Sequence, residues 1–93
     1  MTMTIKHDEA HSRFVTMTEH GQGVVEYRRE GENVDFTHTF VPPAARGKGV
    51  AEALVRTALD WAEREQLNVQ ASCWYVARYL EARRPTLRGS GRA

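Results

Sequence analysis

Arg46-Gly47-Lys48-Gly49-Val50-Ala51 places two glycines where a strand-like run gives way to a long helical pattern, and this handover constrains the chain most. Before it, Phe36-Thr37-His38-Thr39-Phe40-Val41 is rich in β-branched and aromatic residues. Pro42-Pro43 must end that strand, because proline cannot donate to a sheet ladder. After it, Ala51, Leu54, Val55, Ala58, Leu59 and Ala62 recur at the spacing of one helix face. The pattern predicts a helix from Gly49 to about Gln66 that exposes Glu52, Arg56, Asp60 and Glu63. Unpaired N–H groups and the positive end of the helix dipole meet at such a junction, so it suits an anion, phosphate above all. Gly47 and Gly49 lack a Cβ that would hold a phosphate away from the main chain. Arg46 and Lys48 add positive charge beside it.

Three phosphate motifs compete for the segment. A P-loop needs Ser or Thr after its lysine, and Gly49 follows Lys48. A dinucleotide fingerprint needs a third glycine where Glu52 stands, inside a βαβ unit that is absent here. The third, Arg/Gln-x-x-Gly-x-Gly/Ala, is filled by Arg46, Gly49 and Ala51, and it resembles the acetyl-coenzyme A signature of the GNAT superfamily of N-acetyltransferases. A polar loop that merely starts a helix is the bland alternative. The resemblance extends from about Phe14 to Pro85 and is nearest to the short, single-domain Yjdj-type group. It is carried by Phe36-Thr37-His38-Thr39, Val41-Pro42, Arg46 to Gly49, Cys73-x-Tyr75-Val-x-x-Tyr79-Leu80 and Arg84-Pro85. It implies an acyltransferase fold pared to its minimum, with CoA held by Phe40, Val41, Arg46, Gly47, Lys48, Gly49, Val50 and Ala51. Full-length members shape the acceptor site with helices near the N-terminus. Here only a short stretch of ambiguous pattern precedes the strands, which predicts an open acceptor side.

Ninety-three residues allow one domain; a chain of this size buries roughly 60–65% of its unfolded surface. The core is therefore small, and Phe14, Phe36, Phe40, Trp61 and Trp74 are expected to carry much of it. A net charge of +1 provides no global field for nucleic acid or a membrane surface. The single cysteine rules out an internal disulfide framework and suits a reducing, cytoplasmic setting. No run approaches the ~18 apolar residues of a spanning helix, and no secretory signal pattern opens the chain.

The expected class is α/β (α+β): an antiparallel three-strand meander, a helix, a parallel strand and a C-terminal helix. Arg13–Thr18 and Val24–Arg29 alternate as strands around the turn His20-Gly21-Gln22-Gly23. A third strand runs from Val34 to Val41 after the turn Glu30-Gly31-Glu32-Asn33. Their connections are too short for parallel crossovers. Leu67–Ser72 is reached through the helix and should lie parallel to the third strand. A last helix is expected from near Ser72, as N-cap, to just before Pro85, with Arg83 and Arg84 at its negative end. Residues 1–86 form the domain and 87–93 a disordered tail. A splay between the two parallel strands, which the resemblance implies, would let the amide chain of pantetheine pair with a free edge.

Attack of an amine on a thioester requires a neutral amine, which for a lysine-like group costs about 4.6 kcal/mol at pH 7. It also requires an oxyanion donor and a proton for the leaving thiolate. His38, in the strand that leads to the loop, is the candidate base, or else a histidine paired across the sheet. Tyr79 stands seven residues after Ser72, a spacing that resembles the one at which many GNAT enzymes place a tyrosine that protonates CoA sulfur. Tyr75 is one turn earlier, and either ring could simply pack in the core. Cys73 falls at a strand-to-helix junction, where free N–H groups stabilise a thiolate. The wider superfamily often has an asparagine near this place, so the cysteine is a departure. It opens a route through an acetyl-cysteine, against the plain alternative of a small buried residue. His7 and His11 are four apart, but Asp8 replaces the glutamate that a zincin helix needs, so no metal is expected. The C-terminal arginines read as a solvated basic tail.

The sequence thus points to an acetyl-CoA-dependent N-acetyltransferase acting on a primary amine of a small molecule or a protein. A non-catalytic acyl-CoA-binding module is the alternative. RNA binding is disfavoured, because the paired aromatics of an RRM and the loop of a KH fold are missing. A second subunit could cover the open acceptor side.

Overall fold

A computed structural model describes residues 3–88. It forms one five-stranded sheet in the order β1-β2-β3-β4-β5, from β1 (Lys6–Asp8), β2 (Arg13–Thr18), β3 (Gly21–Glu30), β4 (Asn33–Phe40) and β5 (Asn68–Ala71). The first four strands are antiparallel and β5 is parallel to β4, so the expected meander and parallel strand are both present. Strand β1 was not foreseen; its three residues are too few to show an alternation. The short turn Glu9–His11 leads from it into β2.

Helix α1 (Val50–Arg64) crosses from β4 to β5, and α2 (Trp74–Arg88) follows β5. Both helices lie on one face of the sheet and touch each other. Leu54, Val55, Ala58, Leu59, Trp61 and Ala62 of α1 are buried, as their spacing predicts. They meet Phe14, Val25, Tyr27, Val34 and Phe36 from the sheet and Val76 and Leu80 from α2. Gly23 lets the first turn of α1 sit close: a Cβ there would come within 3.2 Å of Val50 and 3.3 Å of Leu54. Arg83 of α2 forms an ion pair with Asp60 of α1 on the outer side of that contact.

The structure corrects four expectations. Trp74 is 67% exposed and Phe40 is 42% exposed, so neither belongs to the core. Trp74 lies two residues, roughly 200° around the helix, from the buried Val76. Helix α2 starts after Cys73, whose carbonyl accepts the first helical bond from Ala77 N–H, so Ser72 is not the N-cap. It also runs through Pro85 to Arg88, although proline removes one helical N–H. Leu87 and Arg88, expected in a tail, belong to this helix, and 89–93 lie outside the described residues.

Phe40 is displaced by a β-bulge. Tyr27 pairs with Phe36, but Glu26 pairs with His38, leaving Thr37 as the extra residue of β4. Strict alternation would put Phe36, His38 and Phe40 on one face. The bulge reverses the faces beyond it. His38 and Phe40 then share the helix-free face with Glu26 and Val24, while Thr39 turns to the helix face beside Val25.

Candidate functional site

Pairing between β4 and β5 ends at Phe36↔Ala71, although β4 continues to Phe40. Along Thr37 to Phe40 the strand keeps β3 on one side and has lost β5 on the other. Beyond Ala71 the chain turns away into α2, its Ser72 and Cys73 N–H groups both reaching Phe36 O at 3.0 Å. The splay that the resemblance implied is therefore present. It opens into a cleft of about 820 Å³ between the end of β4, the start of α1 and the first turns of α2.

Gly47 and Gly49 border this cleft with φ of +81° and +82°, a left-handed conformation that side chains strain against. Gly49 is the N-cap of α1 and supplies no side-chain cap. Its carbonyl accepts from Ala53 N–H at 3.0 Å. The N–H groups of Val50, Ala51 and Glu52 precede that first helical bond and so have no partner within the helix. A Cβ on either glycine would meet nothing within 4 Å, so conformation rather than crowding selects glycine there. Arg46 Nε donates to Val41 O at 2.9 Å and folds the loop back on the end of β4. Its guanidinium lies 6.0 Å from the Phe40 ring centroid. The Val41 carbonyl thus already has a partner. Glu52 carries negative charge in the first turn but is paired with Arg56 at 3.5 Å.

On the opposite wall, Tyr75 and Tyr79 lie one turn apart, their rings tilted by 59° with centroids 5.1 Å apart and hydroxyl oxygens 3.3 Å apart. Burial first, and the bond to Tyr79 second, push the Tyr75 phenol up to about 12, so it keeps its proton at neutral pH. Cys73 is half-buried, and its thiol donates to Thr39 Oγ1 at 3.6 Å. The bulge in β4 brings that hydroxyl to the helix side. Trp74 forms the exposed lip of the cleft, with the Arg78 guanidinium 5.9 Å from its ring centroid.

Of the residues singled out in the sequence, His38, Val41, Arg46, Gly47, Gly49, Val50, Ala51, Cys73 and Tyr79 all line this one cleft. Phe40 and Lys48 do not line it, though each is adjacent to a residue that does. His38 is exposed, and its pairing with Glu26 puts its side chain on the helix-free face. Thr37, Thr39, Trp74 and Glu52 also line the cleft and were not foreseen as site residues. Thr39 had no sequence signal, because nothing in Phe36-Thr37-His38-Thr39-Phe40 marks where the alternation breaks. His7 and His11 do not converge on a ligand. His7 stacks on Phe14 at 4.1 Å and shares a 2.7 Å bond with Tyr27, while His11 pairs with Asp8.

Residues 13–90 match the family model of GCN5-related N-acetyl-transferase. Protein NATD1 of Gallus gallus is 35% identical over 80 residues, which cover 83% of this chain and 73% of that protein. Protein NATD1 of Homo sapiens is likewise 35% identical over 80 residues, covering 83% of this chain and 71% of that protein. Protein NATD1 of Xenopus tropicalis is 32% identical over 83 residues, covering 86% and 76%. A match over nearly the whole sheet and both helices, on a fold whose parallel strands part beside an uncapped helix, makes this chain a member of the GCN5-related N-acetyl-transferase family.

Proposed function

We propose that the cleft binds acetyl-CoA and that the protein transfers the acetyl group to a primary amine of a small molecule or a protein. One observation carries this reading. The uncapped N-terminus of α1, entered through two left-handed glycines, opens into the same cleft as Cys73, Tyr75 and Tyr79, where β4 has a free edge. The first feature suits a pyrophosphate, and Arg46 and Lys48 add charge near it. The second suits an amide chain that pairs with an unpartnered strand.

In the transfer, the amine nitrogen attacks the thioester carbonyl, the C–S bond breaks, and the thiolate of CoA takes a proton. Tyr79 is the proton donor in this reading. Tyr75, protonated and in contact with it, can donate toward the Tyr79 oxygen as that proton leaves. The amine proton departs to solvent, because the side chain of His38, the base expected from the sequence, lies on the helix-free face. Cys73 offers a two-step route, in which acetyl passes first to sulfur and then to the amine.

Calorimetric titration with CoA tests the binding half. Thiol release from acetyl-CoA, measured with lysine-containing peptides and with small polyamines as acceptors, tests the transfer half. Absence of CoA binding overturns the reading. Binding without thiol release across the acceptors points instead to a non-catalytic acyl-CoA-binding module, which the exposure of His38 favours. Near-normal turnover by Cys73→Ser, with no acetyl mass gain on the wild type after mixing with acetyl-CoA, excludes the two-step route. The free thiol of Cys73 is consistent with a reducing compartment such as the cytoplasm.

A further inference from the structure

Asp35 makes an unusual reach. Its register partner across the parallel pair is Gln70, yet its carboxylate bonds two residues further on. Oδ1 accepts the main-chain N–H of Ser72 at 2.8 Å, and Oδ2 accepts the Ser72 hydroxyl at 2.7 Å. The adjacent Phe36 carbonyl accepts the N–H groups of Ser72 and Cys73, each at 3.0 Å. Two neighbouring residues of β4 therefore hold both residues that link β5 to α2. The grip lies at the apex of the splay, one step after the last paired residues, Phe36 and Ala71.

The start of this wall of the cleft hangs from this point: Cys73 follows Ser72 directly, and Trp74 and Tyr75 open the helix, whereas Tyr79 stands between Val76 and Leu80. The rest of α2 is anchored elsewhere, by Val76 and Leu80 in the core and by the Arg83–Asp60 ion pair. Loosening the apex would leave the body of α2 docked while its first turn moved relative to β4. The loop that leads into α1 is held separately, by Arg46 on the Val41 carbonyl.

We propose that Asp35 is a positioning residue: acting through Ser72, it holds the first turn of α2 against the open end of β4 and so fixes Cys73, Trp74 and Tyr75 at the cleft. The consequence for acetyl transfer rests on the proposed function; the positioning itself does not. A charged carboxylate is well suited to the task, because bonds to an ionised acceptor are shorter and stronger than neutral ones. Asparagine can rebuild both bonds, with its oxygen accepting the N–H and its amide donating to a reoriented Ser72 hydroxyl. Alanine can rebuild neither.

The test compares wild type, Asp35→Ala, Asp35→Asn and Ser72→Ala, each checked for a cooperative unfolding transition. The alkylation rate of Cys73 by iodoacetamide, with and without CoA, reports local opening at the apex without any acceptor. Asp35→Ala is expected to speed alkylation by at least about fivefold through local opening, and Asp35→Asn to return it close to the wild-type rate. CoA affinity is expected to stay within about threefold in both variants, because the phosphate end is held by other residues. Where the wild type proves active, Asp35→Ala is expected to lower kcat by at least about tenfold with little change in KM. Unaltered alkylation in Asp35→Ala, or alkylation of Asp35→Asn as fast as that of Asp35→Ala, overturns the proposal. Should Asp35→Ala fail to fold, Ser72→Ala decides: it removes one of the two carboxylate bonds, and a wild-type alkylation rate in it is equally fatal. Failure of the wild type to bind CoA would overturn the proposed function while the alkylation comparison still judged Asp35.

Discussion

Gly49 shows how one residue can serve a conformation and a ligand at once. Its φ of +82° excludes most side chains energetically, while the space around its missing Cβ is open. A β-branched replacement therefore acts twice. Gly49→Val is expected to lower stability by about 1–2 kcal/mol through the left-handed backbone. It should also weaken CoA binding by at least about tenfold, or 1.4 kcal/mol. Gly49→Asn separates the two effects, because asparagine tolerates the left-handed region yet still adds a side chain beside the helix N-terminus. Calorimetry on a folded Gly49→Asn protein is expected to show weakened CoA binding; full affinity would mean that only the backbone angle matters. The tyrosines can be separated in the same way. Tyr79→Phe keeps the ring against Tyr75 and loses the hydroxyl, so turnover is expected to fall with CoA affinity nearly unchanged. Tyr75→Phe is expected to cost less, since its hydroxyl assists Tyr79 across 3.3 Å rather than serving the thiolate itself. Equal turnover in both variants would return the pair to a packing role.

At the scale of elements, the periodic segments were readable and the irregular ones were not. Helix α1 declared itself through the buried stripe from Leu54 to Ala62, and the meander through alternation and short turns. The bulge at Thr37 did not, because a bulge changes facing without changing composition. It therefore misplaced Phe40, and it hid the inward turn of Thr39 toward Cys73. The glycine loop could be read because its function lies in the main chain, which glycine positions reveal. The clamp from Asp35 to Ser72 could not, since it joins residues 37 apart through side chains. Strand β1 was also hidden, yet it carries a testable pH dependence. His7 is held between Phe14, Tyr27 and Trp61, and burial is the largest of the influences that lower its pKa below the ordinary value. The unfolded chain binds that proton more readily, so the stability His7 contributes is present above about pH 6.5 and fades as pH falls below it. Asp8, lowered first by its bond to Arg13 and then by His11, acts the same way, but only below its unfolded value of about 4. Thermal midpoints are therefore expected to drop between pH 7 and pH 5.5 in the wild type and to drop less in His7→Phe. An equal drop in both would clear His7 of the effect.

The whole molecule is small, and its size makes ligand linkage easy to detect. Its sheet carries helices on one face, and one cluster of buried side chains joins all the layers among the described residues. A domain near 90 residues has a small unfolding entropy, so each kcal/mol shifts the thermal midpoint by about 4–8 °C. A ligand that binds only the folded state adds about 2.7 kcal/mol at a hundred times its Kd. The cleft belongs to the folded state alone, because it needs the β4–β5 pairing, the seated α1 and the first turn of α2 together. Saturating CoA or acetyl-CoA is thus expected to raise the midpoint by roughly 10–20 °C, and the rise should follow the logarithm of ligand concentration. Pantetheine, which lacks the pyrophosphate, is expected to give a much smaller rise, because the uncapped start of α1 then gains no anion. The Gly49→Asn protein should respond weakly to CoA while keeping whatever response it has to pantetheine. Equal shifts from CoA and pantetheine would place the affinity along the free edge of β4, and no shift from either would remove this cleft from consideration as a CoA site.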